Sequence, residues 1–356
     1  MGVRKPDILR VVDAAYVIDQ TPDSWLVGLA EIAHPLLDGG FGICVFEYRP
    51  AETPGAPPEI ASAHLLGVPP DLAALHGTIF RNMPPEVRRR PFQMGPCVSG
   101  SQMMGEGAAF RNNPLMQMYA QKFGMFDSVW ITAAEPSGWG CGFHTGRREI
   151  SAVSRLFKQR WSWIAGHLST AARLRQKLRA RRDHGDCGAG GDSARPAPEA
   201  VFSPNGTLHD ATGAAKEKAA RDELRRSVLS LEKARGPLRR KDPDEALAQW
   251  PTLVMGRWSL LDQMENDGRR YVVACENEPA AVGPESLTER ELQVIGYAKL
   301  GHHNKLIAYE LGIADSTVRV LLSRAAHRLR VQTRAELLAA CANVTVTDVP
   351  QKMTGT

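Results

Sequence analysis

Read at about 100° per residue, DSTVRVLLSRAAHRLR, Asp315 to Arg330, sorts into two faces. Val318, Leu322, Ala325 and Leu329 fall on one side, where an amphipathic helix is buried. Arg319, Val320, Ser323, Arg324 and His327 project from the other. Two guanidiniums, a hydroxyl and a small apolar group suit a DNA major groove, because Arg chelates guanine or phosphate and Val can touch a thymine methyl. A merely solvated face more often mixes Glu with its Lys or Arg.

Other constellations carry less. Cys141-Gly-Phe-His144 has the spacing of a metal-ligand pair, yet a structural zinc site wants four ligands and no second pair is nearby. Trp130, Trp139, Phe143 and the methionines Met94, Met103, Met104, Met116, Met118 and Met125 fit a core or the lining of an apolar ligand pocket, core being the simpler reading. The chain lacks G-x-S-x-G, G-x-x-x-x-G-K-[ST] and H-E-x-x-H. No catalytic residue, metal or cofactor is therefore expected.

The elements that must position the Arg319 face are compact. Thr288 and Glu291 form a T-x-x-E capping box ahead of Leu292, Ile295 and Ala298, and Gly301 ends that helix. A second short helix begins near Asn304 and turns at Gly312. The third starts near Asp315, with Asp315 or Ser316 expected to cap it, and Thr333 with Glu336 caps a fourth. Leu287 to Ala342 thus predicts four short helices with a helix-turn-helix at their centre.

LTERELQVI, then Gly301, HNKLIA (His303 to Ala308), Leu311, Ile313, STVR (Ser316 to Arg319) and LRVQTRAEL resemble the LuxR/NarL-type helix-turn-helix of bacterial transcription regulators. The resemblance implies groove contacts at Arg319, Val320 and Ser323 and backbone contacts at Asn304, Lys305 and Thr317, with Ser316, Arg324 and His327 completing the DNA-binding set. His303 stands where the family often caps with Ser, Ala314 replaces a second capping Ser, and Leu321 occupies a frequent His position. The segment carries eight basic and five acidic residues, a net charge of +3. So few cations predict weak binding by one copy, so a homodimer on two half-sites of double-stranded DNA is expected.

The remainder reads as α+β and multi-domain. A GAF/PAS-like sensory region over 1–182 has helices around an antiparallel sheet, with strands at Gly39–Tyr48, Asp127–Ala134 and Gly140–Thr145, and would receive a small-molecule or protein signal. It ends in a long helix, Ser151 to Arg182, with nine basic residues and no acid. Its last turns are expected to be a solvated end favoured by the helix dipole, or else a dimer-forming connector or an auxiliary phosphate contact. A flexible linker over 183–200 follows, then a small PAS-like module over 201–277 with Asn-Gly and Asp-Gly hairpins. A second break runs from Asn277 to Glu285. The helical domain spans 284–344 and a tail 345–356. The chain has 356 residues, 43% hydrophobic and 23% charged, with a net charge of +5. That balance excludes wholesale disorder and does not by itself announce nucleic-acid binding. No apolar run approaches the ~18 residues of a membrane span, and six scattered cysteines form no disulfide framework, so a cytoplasmic location is expected.

Overall fold

A computed structural model describes residues 7–52, 56–105, 107–150, 153–183, 197–264, 268–279, 283–284 and 286–342. The first unit opens with helices α1 (Leu9–Ala15) and α2 (Pro22–Leu37). Strands β1 (Ile43–Arg49) and β2 (Glu59–Leu66) follow, then α3 (Pro70–Asn82), α4 (Pro85–Arg89), β3 (Cys97–Ser99) and α5 (Pro114–Phe123). β4 (Asp127–Ala134), β5 (Gly140–Arg147) and the long α6 (Arg155–Asp183) complete it. The five strands form an antiparallel sheet in the order β2-β1-β5-β4-β3. β1 begins at Ile43 rather than Gly39 because the Asp38 carboxylate accepts the backbone N–H groups of Gly40, Phe41 and Gly42, which closes a turn there.

Strand alternation gives this sheet two apolar faces. Ile43, Val45, Val129, Ile131, Cys141 and Phe143 face α1, α2 and α6 in a core that continues into the second unit. Cys44, Phe46, Tyr48, Trp130 and His144 point the other way. Cys141 and His144 therefore occupy opposite faces of β5 and cannot share one ion. β5 is glycine-rich because the large rings of β1 lie over it: a Cβ on Gly142 would sit 2.8 Å from the Phe46 ring.

The second unit holds β6 (Pro198–Phe202), β7 (Leu208–Ala211), α7 (Lys218–Lys233), α8 (Pro243–Gln249), β8 (Trp258–Met264) and β9 (Arg270–Glu276). Its antiparallel sheet runs β7-β6-β9-β8. Four helices end the described chain: α9 (Glu289–Lys299), α10 (Asn304–Leu311), α11 (Asp315–Arg328) and α12 (Arg334–Ala340). The protein is thus α+β with two antiparallel sheets and a C-terminal helical domain. Among the described residues no helix is long and apolar enough to cross a membrane.

Several expectations need correction. The basic end of α6 is solvated only at its tip: Arg181 and Arg182 are exposed, but Arg173 and Arg175 are buried, because carboxylates from other elements reach them. Arg173 donates to both oxygens of Glu135, at 2.9 and 2.6 Å, and to the Asn277 carbonyl at 2.6 Å. Arg175 lies over the Trp25 ring and donates to the carbonyls of Ile18 and Gln20. Burial, reinforced by Arg173, pushes the Lys177 ammonium down to about 8. The break expected from Asn277 begins with a buried residue whose amide donates to Thr170 O and Ser259 Oγ. Met94 is exposed and Phe143 packs on Trp161. Residues 184–196 of the expected linker and the tail 345–356 lie outside the described residues.

Candidate nucleic-acid interface

Local chemistry sets the helical domain in place. Thr288 Oγ1 accepts the Glu291 N–H and the Glu291 carboxylate accepts the Thr288 N–H; Thr333 and Glu336 repeat the arrangement. α10 is capped by an imidazole, with His303 Nδ1 accepting the Leu306 N–H at 3.2 Å. Burial and the neighbouring His302 hold His303 below its ordinary pKa, which keeps that nitrogen an acceptor. The turn before α11 passes through Gly312 in the left-handed region. Neither Asp315 nor Ser316 caps α11. Its N-cap is Ala314, with no side-chain bond, because the helix already begins at Asp315, whose carboxylate pairs with Arg319 one turn later at 2.6 Å.

α11 separates its faces cleanly. Val318 and Ala325 are fully buried, and Leu321, Leu322 and Leu329 pack at the margins. Ser316, Thr317, Arg319, Val320, Ser323, Arg324 and His327 are exposed. The Arg319 side chain is 67% accessible even while paired with Asp315, so the guanidinium is oriented without being withdrawn from a ligand. Lys305 is exposed at the start of α10. Asn304 is half-buried, and its Oδ1 accepts from Arg334, which also donates to His302 O. Arg334 thus fixes the neighbourhood of the expected backbone contacts, a role that the sequence reading missed. α12 offers no free apolar face for pairing through Leu337, Leu338 and Cys341: Leu337 and Cys341 are buried in the bundle and Leu338 packs against it.

The opposite side of this domain is seated on the body. Tyr309 of α10 stacks on Trp163, donates to Leu247 O at 2.9 Å and meets His167 Nε2 at 2.9 Å. Since the Tyr309 hydroxyl proton goes to Leu247, His167 donates through Nε2 and accepts from Tyr16 through Nδ1. Burial and Arg235 hold His167 down to about 3, so the ring stays neutral as this chain of bonds requires. Tyr297 of α9 contacts Glu135 at 3.4 Å, and Arg290 donates to Gly256 O. None of these partners is near in sequence.

A second feature is a cavity of about 280 Å³ on the inner face of the first sheet, between β1, β2, β5 and α3. Cys44, His144 and Trp130 stand opposite one another across β1, β5 and β4 and form its floor. No residue lining it carries a fixed charge. His144 stacks between His76 and Trp130, with ring centroids at 4.6 and 4.2 Å. Burial pushes His76 down to about 4 and His144 well below its ordinary value, and raises the Cys44 thiol to about 12. All three are neutral near pH 7. Trp130 and Met125 line this space, and Met103, Met104 and Met116 line a smaller one beside it.

A compact helical domain whose third helix is buried on one side and bare, with basic and polar groups, on the other has the form of a helix-turn-helix head. Residues 285–340 match the bacterial regulatory proteins of the luxR family (GerE), and the C-terminal domain is a domain of that family. No curated protein matches the chain. Among solved structures, SdiA in complex with octanoyl-rac-glycerol is similar at 10% identity and a TM-score of 0.32, covering 96% of each chain. Escherichia coli SdiA in another crystal form gives 11% and 0.27, covering 91% of this chain and 92% of that one. The bacteriophytochrome RpBphP3 from R. palustris gives 13% and 0.29, covering 80% and 64%.

Proposed function

We propose that the protein is a transcription regulator whose head reads double-stranded DNA through α11, under the control of its N-terminal region. The supporting observation is the division of α11, core on one side and uncovered Arg319, Val320, Ser323, Arg324 and His327 on the other. Arg319, Val320 and Ser323 face base edges, while Ser316, Thr317, Asn304 and Lys305 hold phosphates. The modest charge of one head favours a homodimer on paired half-sites. The test is titration of duplex DNA at several salt concentrations. Lys305→Ala should weaken all sequences alike and reduce the slope of log affinity against log salt by about one. A full-length protein that binds duplex no better than a neutral polymer control would favour the alternative, a protein-binding scaffold.

In this reading residues 1–182 form a GAF/PAS-like sensory unit, 201–277 a smaller PAS-like module, and the cavity takes an uncharged, largely apolar small molecule. An anionic or cationic ligand would lose its hydration without gaining a counter-charge there. Leu300, directly after α9, packs against the cluster of Phe46, Tyr48, Phe92, Val98, Met103, Trp130 and Ala134, of which Phe46 and Trp130 also line the cavity. An occupant that shifts those rings would reach the head through this shared cluster. Ala73→Trp, which fills the space, should abolish uptake of an uncharged apolar dye followed by its fluorescence. Equal uptake by the variant would remove the cavity from the sensory role.

A further inference from the structure

The turn that leads into α10 and Lys305 has a neighbour on the body that nothing in the head's own fold requires. Between Arg81 and Arg90 the chain places four arginines, Arg81, Arg88, Arg89 and Arg90, against one acid, Glu86. Arg81 and Arg90 are exposed and Arg88 and Arg89 half-buried. Arg81 bonds to Thr78 Oγ1 and Arg90 to Met103 O, both neutral acceptors, and the Nε atoms of Arg88 and Arg89 have no hydrogen-bond partner. Among the described residues, the arginines of the first unit that pair with carboxylates are others, Arg49, Arg160, Arg173, Arg175 and Arg179. Four guanidiniums in ten residues without a carboxylate partner repel one another and call for an external anion.

Their position says which one. After α4, Phe92 is buried in the same cluster that receives Leu300. The next residues press on the turn between α9 and α10: Gly301 has φ +81°, and a Cβ there would lie 2.5 Å from Gln93 O and 3.0 Å from Gly95 N. Only glycine allows this approach. Lys305 follows Gly301 by four residues, so the two are separated by at most about 14 Å of chain. Arg89 precedes Gln93 by four residues of helical or 3-10 backbone, about 6 to 8 Å. With the roughly 6 Å between Gly301 and Gln93 added, Arg88 and Arg89 thus lie within about 30 Å of Lys305, less than the roughly 34 Å of one duplex turn.

From this the geometry points to a second phosphate-contacting surface: the arginine ledge of the body, docked against the turn that precedes α10, grips duplex backbone beside the segment under α11. This inference rests on the head's reading of DNA. It requires phosphate contacts only, so the ledge adds affinity and salt dependence without sequence preference.

The test uses the full chain and a mixed-sequence duplex of about 30 base pairs, long enough to pass both surfaces. The double variant Arg88→Gln/Arg89→Gln should lower the slope of log affinity against log salt by about two, and Arg88→Lys/Arg89→Lys should restore most of it. The ratio of affinities for any two sequences should not change. A slope equal to that of the wild type, in a protein where Lys305→Ala still lowers it, overturns the ledge and leaves the head's function standing. Absence of salt-dependent binding in the wild type, with Lys305→Ala equally silent, overturns both. Thermal unfolding of the Gln variant at the wild-type temperature shows that a lost slope is a lost contact and not a lost fold.

Discussion

Glu135→Ala should destabilise the protein by about 3 to 5 kcal/mol, read as a lower urea midpoint with an unchanged slope. Glu135 follows directly on β4 and is 2% exposed, and Arg173 on α6 is 5% exposed. Burial works against the Arg173 charge, and the Glu135 carboxylate outweighs it, so the guanidinium is held above its already high ordinary pKa. Removing the carboxylate leaves a buried cation with the Asn277 carbonyl and the Tyr297 hydroxyl at 3.4 Å. Those dipoles cannot replace a charge, and the site is too enclosed to admit bulk water cheaply. The double variant Glu135→Leu/Arg173→Met should recover much of the loss, because replacing both partners leaves no orphan. A Glu135→Ala protein within about 1 kcal/mol of the wild type would show that the pair is solvated in solution. Since Tyr297 belongs to the head, the variant should also loosen the head from the body. Faster proteolysis in the segment around 277–286 would report that loosening.

What could be read in advance follows from the range of the interactions. The β4 and β5 strands, the two hairpins and the caps at Thr288 and Thr333 depend on neighbours within a few residues, and period and turn chemistry reveal those. The faces of α11 also follow from period alone, because Val318 and Ala325 can turn inward only if Arg319 and Ser323 turn out. The end of α6 was misread for the converse reason. Arg173, Arg175 and Arg179 look like a solvated basic stretch because their own helix has no acid before Asp183, and the carboxylates that accept them sit on β1 and after β4. Nor could helix capping rules foresee Ala314: Asp315 is a good capping residue, but the helix starts one residue earlier than its cap would allow, and Asp315 instead forms an i,i+4 pair with Arg319. The seating of the head through Tyr309, His167 and Leu247 joins residues 62 and 142 positions apart and leaves no local signal. The same is true of the Gln93–Gly301 contact, where a glycine ending a helix reads as an ordinary stop.

Arg319→Ala should cost on the order of 1 to 3 kcal/mol at the preferred DNA site and less on mixed sequence, so that the ratio between them falls. The residue lies on the uncovered side of α11, one turn after Asp315, whose carboxylate holds the guanidinium at 2.6 Å. The Arg319 side of that pair is largely exposed, so the pair is weak and its release adds little to the cost of binding. Its consequence is orientation: the fork is kept near the start of α11, the end that a recognition helix presents to base edges. Asp315→Ala separates the two contributions. It removes a negative charge from the DNA-facing end, which strengthens binding to every sequence, and it frees the Arg319 fork, which lowers discrimination between sequences. Tighter but less selective binding by Asp315→Ala, alongside weaker and less selective binding by Arg319→Ala, identifies Arg319 as a base reader positioned by Asp315. If Arg319→Ala loses the same free energy on preferred and mixed duplexes, its guanidinium touches only phosphate, and selectivity must come from Val320, Ser323 and Arg324.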